Sequence, residues 1–204
     1  MNLKWSFWIF ENAISKTFCD EIVNFGLNQN KKTAFVGEEE PKSKKDHKDL
    51  SKIRKSNIAW LSEPWIYNEI NPIIKTANKN AGWNYQWDWN EACQFTIYNK
   101  GQFYGWHQDT FPSPYSHTNR NPNLRGKTRK LSMTLQLSDS KEYTGGELEF
   151  SLLTPKNKQY VQTVKNTKKG TLIVFPSFVW HRVKPVKKGT RYSLVNWSCG
   201  APWV

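Results

Sequence analysis

The sequence predicts a mostly β fold with flanking α-helices: a sandwich or small barrel of the jelly-roll kind, fronted by N-terminal helices. Three observations carry this. From about residue 90 the chain breaks into short alternating runs punctuated by Gly, Pro and Asn: "ACQFTIY", "KLSMTLQL", "GELEF", "YVQTV", "TLIVFP", "VWHRV" and "RYSLVNW". Ahead of them, two stretches space their apolar residues as helices do. No internal repeat or linker divides the 204 residues, a length suited to one domain. We therefore expect a single domain over 1–204, with 1–89 as helical support carrying a basic loop at 41–55, and 90–204 as the β-barrel core.

In "SKTFCDEIVNFGLNQN", Ser15 suits an N-cap, and Phe18, Ile22 and Phe25 follow at spacings of four and three. "SNIAWL" alternates like a strand. A second helix is expected from "SEPW", with Ser62 capping and Pro64 in the first turn. Its stripe of Ile66, Ile70, Ile73, Ile74 and Ala77 runs to a stop at Gly82, and Pro72 should kink or restart it. Within the barrel, Leu131, Met133, Leu135 and Leu137 alternate as a core face. Gly145 and Gly146 suit a turn between strands.

Composition narrows the classes. Apolar residues make up 37%, with 11 Trp and 11 Phe, so a packed core is expected rather than disorder. No apolar run approaches the roughly 20 residues of a membrane span. "WSFWIF" is six residues long, short of the about 7–15 of a signal-peptide core. A soluble, unexported, cytoplasmic protein with no membrane partner is the expectation. Cys19, Cys93 and Cys199 are odd in number and lack a C-x-x-C pair, which fits reduced thiols and not a zinc site. A net charge of +13 attracts nucleic acid, anionic surfaces or an acidic substrate without choosing among them. Much of it lies in "PKSKKDHKDLSKIRK", Pro41 to Lys55, which reads as a solvated loop or as a lid or docking arm.

The chemistry concentrates in "GWHQDTF". On a strand, residues i and i+2 share a face, so His107 and Asp109 can present an imidazole and a carboxylate together. Of the other three histidines, His47 sits in the Lys-rich loop and His117 in a turn-rich loop, leaving His181 in "PSFVWHRVKPV" as a third ligand. Two histidines and one carboxylate with open positions opposite is the arrangement of non-heme Fe(II) oxygenases. Ten residues after His181 comes Arg191 in "GTRYSLVNW". As a strand, this segment puts Arg191, Ser193, Val195 and Trp197 on one face and Tyr192, Leu194 and Asn196 on the other. A guanidinium beside a hydroxyl suits a carboxylate in a partly dry pocket.

H-x-D, a distant H, and R-x-S ten residues beyond it resemble the Fe(II)/2-oxoglutarate-dependent dioxygenases. "YNKGQFYGWHQD", "KLSMTLQLSDSKEYTGGELEF" and "KGTLIVFPSFVWHRVKPVKKGTRYSLVNW" are similar to the prolyl 4-hydroxylase and PKHD-type branch, over about Lys52 to Trp197. The resemblance implies a double-stranded β-helix with iron at one mouth. It implies His107, Asp109 and His181 as metal ligands and Arg191 as the anchor of the distal carboxylate of 2-oxoglutarate. Ser193, Tyr98 and Trp197 complete the co-substrate pocket, and Gln94 and Thr96 share the face of Tyr98. The same resemblance implies Fe(II), 2-oxoglutarate and O₂, with ascorbate in support, and a prolyl 4-hydroxylase-like enzyme acting on a peptide or protein. Asp109 favours hydroxylation over halogenation, because the related halogenases have a small residue there. Arg191, where collagen-type enzymes commonly use Lys, argues against a collagen-like substrate. Two alternatives stand beside this reading: a dioxygenase oxidising nucleic acid or nucleotides through the basic surface, and a non-catalytic metal-binding barrel.

Overall fold

The computed structural model describes residues 3–34, 52–154, 156, 158–165 and 167–203, so residues 41–51 of the basic loop lie outside it. Strands β1 (Trp8–Phe10), β2 (Lys32–Thr33), β3 (Arg54–Lys55), β4 (Asn57–Leu61) and β5 (Trp89–Asn90) belong to the front segment. That segment is therefore more than helical support, and Arg54 and Lys55, expected in the loop, form a strand. Strands β6 (Cys93–Tyr98), β7 (Phe103–His107), β8 (Thr128–Gln136), β9 (Tyr143–Gly145) and β10 (Leu148–Leu153) follow. Then come β11 (Gln159–Val164), β12 (Leu172–Pro176), β13 (His181–Val183), β14 (Val186–Gly189) and β15 (Arg191–Gly200).

Among the described residues these make a major sheet ordered β1-β12-β8-β15-β6-β4-β2, with β5 beside β15. A minor sheet is ordered β11-β10-β13-β7-β3, and β14 with β9 forms a two-stranded ribbon. Period-2 alternation gives the major sheet two different faces. Phe95, Leu131, Met133, Leu135 and Leu194 pack against the helices. Tyr98 and Phe175 look toward the minor sheet, where Leu148, Phe150 and Val183 meet them.

Helix α1 (Lys16–Leu27) begins as its sequence predicts: Ser15 Oγ accepts from the Phe18 N–H at 3.1 Å. It lies so close to the sheet that a Cβ on Gly26 would meet the Phe95 ring at 2.6 Å. Helix α2 (Pro64–Asn80) departs from expectation at its cap. Its N-cap is Glu63, which makes no capping hydrogen bond, and not Ser62. The cause is Pro64, whose ring drives the preceding residue out of the helical region; Glu63 is extended at φ −72°, ψ 128°. Pro72 does not restart the helix. Buried Ile66, Ile70, Ile74 and Ala77 hold both halves on the sheet, so one missing bond is absorbed. Among the described residues no helix is long and apolar enough to cross a membrane.

Candidate metal and co-substrate site

The minor sheet brings the two histidines together. His181 on β13 lies directly opposite His107 on β7 in the antiparallel register. Asp109 joins them differently from the sequence expectation. Strand β7 ends at His107, so the two residues do not alternate along one strand. Instead the Asp109 and Thr110 N–H groups both donate to the Ser177 carbonyl, at 2.9 and 3.1 Å, and this turns the carboxylate inward.

The ligand atoms of His107, Asp109 and His181 lie within 4.8 Å of one another. Asp109 Oδ1 is 3.6 Å from His107 Nε2, and Oδ2 is 3.6 Å from His181 Nε2. His107 Nδ1 is 2.8 Å from the Gly105 carbonyl and His181 Nδ1 is 2.9 Å from that of Val179. A carbonyl can only accept, so each Nδ1 carries a proton and Nε2 is the nitrogen left to face the centre. Burial, together with the neighbouring His107, pushes the His181 imidazole down to about 4, so it is neutral at physiological pH. Burial works to raise the Asp109 carboxyl, but the adjacent imidazoles in their protonated form, together with Arg129, outweigh it and hold the group well below the usual carboxylate range. Asp109 Oδ2 is buried with no hydrogen-bond partner. Once both Nε2 atoms are unprotonated, two lone pairs and an unsatisfied carboxylate oxygen facing one point repel each other unless a cation sits there. The donor set fits a divalent metal ion that accepts nitrogen and oxygen ligands.

A pocket opens beside this cluster and is lined by all seven residues that the sequence assigned to the metal and the co-substrate. His107, Asp109 and His181 are joined there by Tyr98, Arg191, Ser193 and Trp197, with Gln94, Thr134, Leu148 and Val183 on the remaining walls. Arg191 is only 4% exposed. Its guanidinium donates to Ser193 Oγ at 3.3 Å, and Tyr98 lies opposite it in the β15–β6 register. Among the described residues Arg191 makes no ion pair, and such a buried cation suits a ligand carboxylate. Gly146 lies beneath it with φ +66°, where a Cβ would meet Arg191 Cδ at 3.1 Å. This glycine thus does more than shape a turn.

Three groups escaped the sequence reading. Tyr104 stacks on the His107 ring at 3.5 Å between centroids and 11° between planes. Burial pushes its phenol up to about 12, so it stays protonated. Arg54 sits over the other contact surface of this wall, 4.4 Å from the Tyr104 centroid. Arg129 forms a fork with Glu91, Nε to Oε1 at 2.6 Å and Nη2 to Oε2 at 2.7 Å, while Nη1 donates to the Asp109 carbonyl at 3.2 Å. Nothing local in the sequence marked Arg54, which lies in the Lys-rich run, or Arg129.

Residues 93–199 match the 2OG-Fe(II) oxygenase superfamily, more than half of the chain. The chain belongs to this superfamily. A PKHD-type hydroxylase of Synechococcus sp. (strain CC9902) is 37% identical over 97 residues, covering 48% of this chain and 36% of that protein. The chain thus spans well under half the length of this relative. Solved structures share the fold. A Pseudomonas putida prolyl-4-hydroxylase aligns with TM-score 0.68 and 18% identity over 96% of this chain and 93% of its own. A prolyl hydroxylase from Trichoplax adhaerens, in complex with a hypoxia inducible factor peptide fragment, aligns with TM-score 0.68 and 20% identity, covering 95% and 83%. This superfamily chain therefore has the double-stranded β-helix that its resemblance implied.

Proposed function

We propose that the chain is an Fe(II)- and 2-oxoglutarate-dependent dioxygenase that hydroxylates a peptide or protein, with peptidyl proline as the leading substrate. One observation carries this reading. Two imidazoles and a buried carboxylate oxygen with no hydrogen-bond partner converge in the same pocket as a buried arginine that makes no ion pair among the described residues.

His107 and His181 offer Nε2, and Asp109 offers the single negative charge, so half of a divalent cation's charge is left for an anionic chelator. The carbonyls of Gly105 and Val179 fix both imidazoles in the ligating tautomer. Arg191 holds the distal carboxylate of 2-oxoglutarate, with Ser193 steadying the guanidinium and Tyr98 and Trp197 as walls. Leu148, Phe175 and Val183 exclude water from this end of the pocket. Iron and 2-oxoglutarate supply the oxidative chemistry: one oxygen atom of O₂ goes into succinate as CO₂ leaves, and the other becomes the hydroxyl of the product.

A second cavity supports a peptide as the substrate. It begins at Thr110, next to Asp109, and runs along Phe111, Pro112, Pro114, Phe178 and Trp203. Such an aromatic and proline-lined groove suits an extended chain better than a small molecule. Succinate release from 2-oxoglutarate under Fe(II), ascorbate and O₂, measured across proline-containing peptides, tests the proposal. Peptide-stimulated succinate with a gain of one oxygen in the peptide is expected. Stimulation only by DNA or RNA, weakening with salt, would transfer the assignment to the nucleic acid reading that the +13 charge favours.

A further inference from the structure

Among the described residues two arginines are buried, Arg54 and Arg191, and neither makes an ion pair; the less buried Arg129 and Arg182 hold Glu91 and Glu149. Arg191, on the reading above, takes the co-substrate. Arg54 is 7% exposed, and its partners are neutral: Nε donates to Ser56 Oγ at 3.0 Å, and Nη1 to Gln94 Oε1 at 3.5 Å, the limit of a hydrogen bond. Its Nη2 is buried and donates to nothing. Among the described residues it makes no ion pair. A desolvated charge with an unmet donor is costly, and a bound oxyanion relieves both defects at once.

Its position says whose oxyanion this is. Arg54 on β3 pairs with Tyr104 on β7, while its side chain crosses to Gln94 on β6, so the guanidinium bridges the minor and major sheets. Tyr104 and Gln94 both line the pocket, and Tyr104 stacks on His107. Arg54 itself lines no part of that pocket; it stands behind Tyr104 and Gln94, which do. An anion held there would lie behind the wall next to His107, away from the 2-oxoglutarate anchor.

We propose that Arg54 is a specificity-determining residue that binds an oxyanion of the substrate, so that the preferred peptide carries a carboxylate close to the residue being hydroxylated. This rests on the reading of the chain as a peptide-acting dioxygenase. Gln94, a weak neutral acceptor, gives way to the carboxylate, and the fork geometry of the guanidinium favours a two-oxygen group over a carbonyl. A phosphate would satisfy the same chemistry.

The probe is a panel of proline-centred peptides in which Glu, its neutral isostere Gln, or phosphoserine occupies each flanking position in turn. The readout is the kcat/KM ratio within each enzyme variant, which cancels any general loss of activity. In the wild type we expect one position where Glu exceeds Gln by about thirtyfold, the scale of removing one partner of a desolvated charge pair, expressed mainly in KM. Arg54→Gln should bring that ratio close to one. Arg54→Lys should keep part of the Glu preference. A phosphoserine preference at that position, lost in Arg54→Gln, would keep the oxyanion site and change its source. Hydroxylation without a Glu or phosphoserine preference at any position overturns the Arg54 assignment alone, and the wild-type series decides this even if the variants do not fold. Absence of hydroxylation or succinate across the whole panel overturns the peptide reading, and this proposal with it.

Discussion

Replacing Arg129 by Met should destabilise the protein more than any exposed substitution. The Glu91 carboxylate accepts from Arg129 Nε and Nη2 and from the Tyr115 hydroxyl at 2.7 Å, and both side chains of the pair are only about one-tenth exposed. Met fills much of the guanidinium's volume but leaves the carboxylate buried with only the Tyr115 phenol and the weak Cys199 thiol as donors. Breaking one side of such a pair costs about 3–5 kcal/mol. For a domain of this size each kcal/mol lowers the melting temperature by about 2–4 °C, so the fall should be about 6–20 °C. The double variant Glu91→Gln/Arg129→Met leaves no unpaired charge and should recover a large part of the loss. Thermal unfolding followed by circular dichroism, run as a double-mutant cycle, measures this. A single variant within about 1 kcal/mol of wild type, or a double variant whose loss is the sum of the singles, would refute the reasoning.

Three further outcomes follow from the site. Arg191→Gln removes the one cation that lines the pocket among the described residues and should weaken 2-oxoglutarate binding by about 2–5 kcal/mol in a calorimetric titration, as expected for a buried charged partner. Gly146→Ala puts a Cβ at φ +66° against Val186 Cγ2 at 2.9 Å and Arg191 Cδ at 3.1 Å; the 2-oxoglutarate KM should rise about tenfold or more as the guanidinium is displaced. Burial pushes the Cys19 thiol up to about 11 and the Cys93 thiol up to about 12, and raises Cys199 as well. A disulfide-exchange reagent at about pH 8 should therefore titrate none of the three in the native protein and all of them after unfolding.

Much of this was legible in the chain because the signals are periodic. Alternation in "KLSMTLQL" and "RYSLVNW" placed the core residues on one face and Arg191, Ser193 and Trp197 on the other, as the pocket has them. Helix α1 was legible down to its cap. The failures have local causes that a period cannot express. Counting by twos puts Arg129 on the same face as Leu131 and Met133. The register of β8 against β15 shifts between Ser198 and Cys199, however, pairing Leu131 with Ser198 but Arg129 with Cys199. One extra residue there turns Arg129 to the pocket side. Asp109 is inward because of two bonds to Ser177, a residue far along the chain, and not because of strand alternation. Arg54 belonged to a run whose charge spoke for solvent, and only the pairing with β7 shows it buried.

Anaerobic titration of Fe(II), followed by 2-oxoglutarate, into wild type and His181→Ala bears most directly on the His107–Asp109–His181 centre. One Fe(II) per wild-type chain, with tight 2-oxoglutarate binding only once the metal is present, is the expected result. The His181→Ala variant, still folded by circular dichroism, should take up neither with comparable affinity and should form no succinate when O₂ is admitted. Stoichiometric Fe(II) binding and succinate formation undiminished in His181→Ala would place the metal elsewhere and contradict the site.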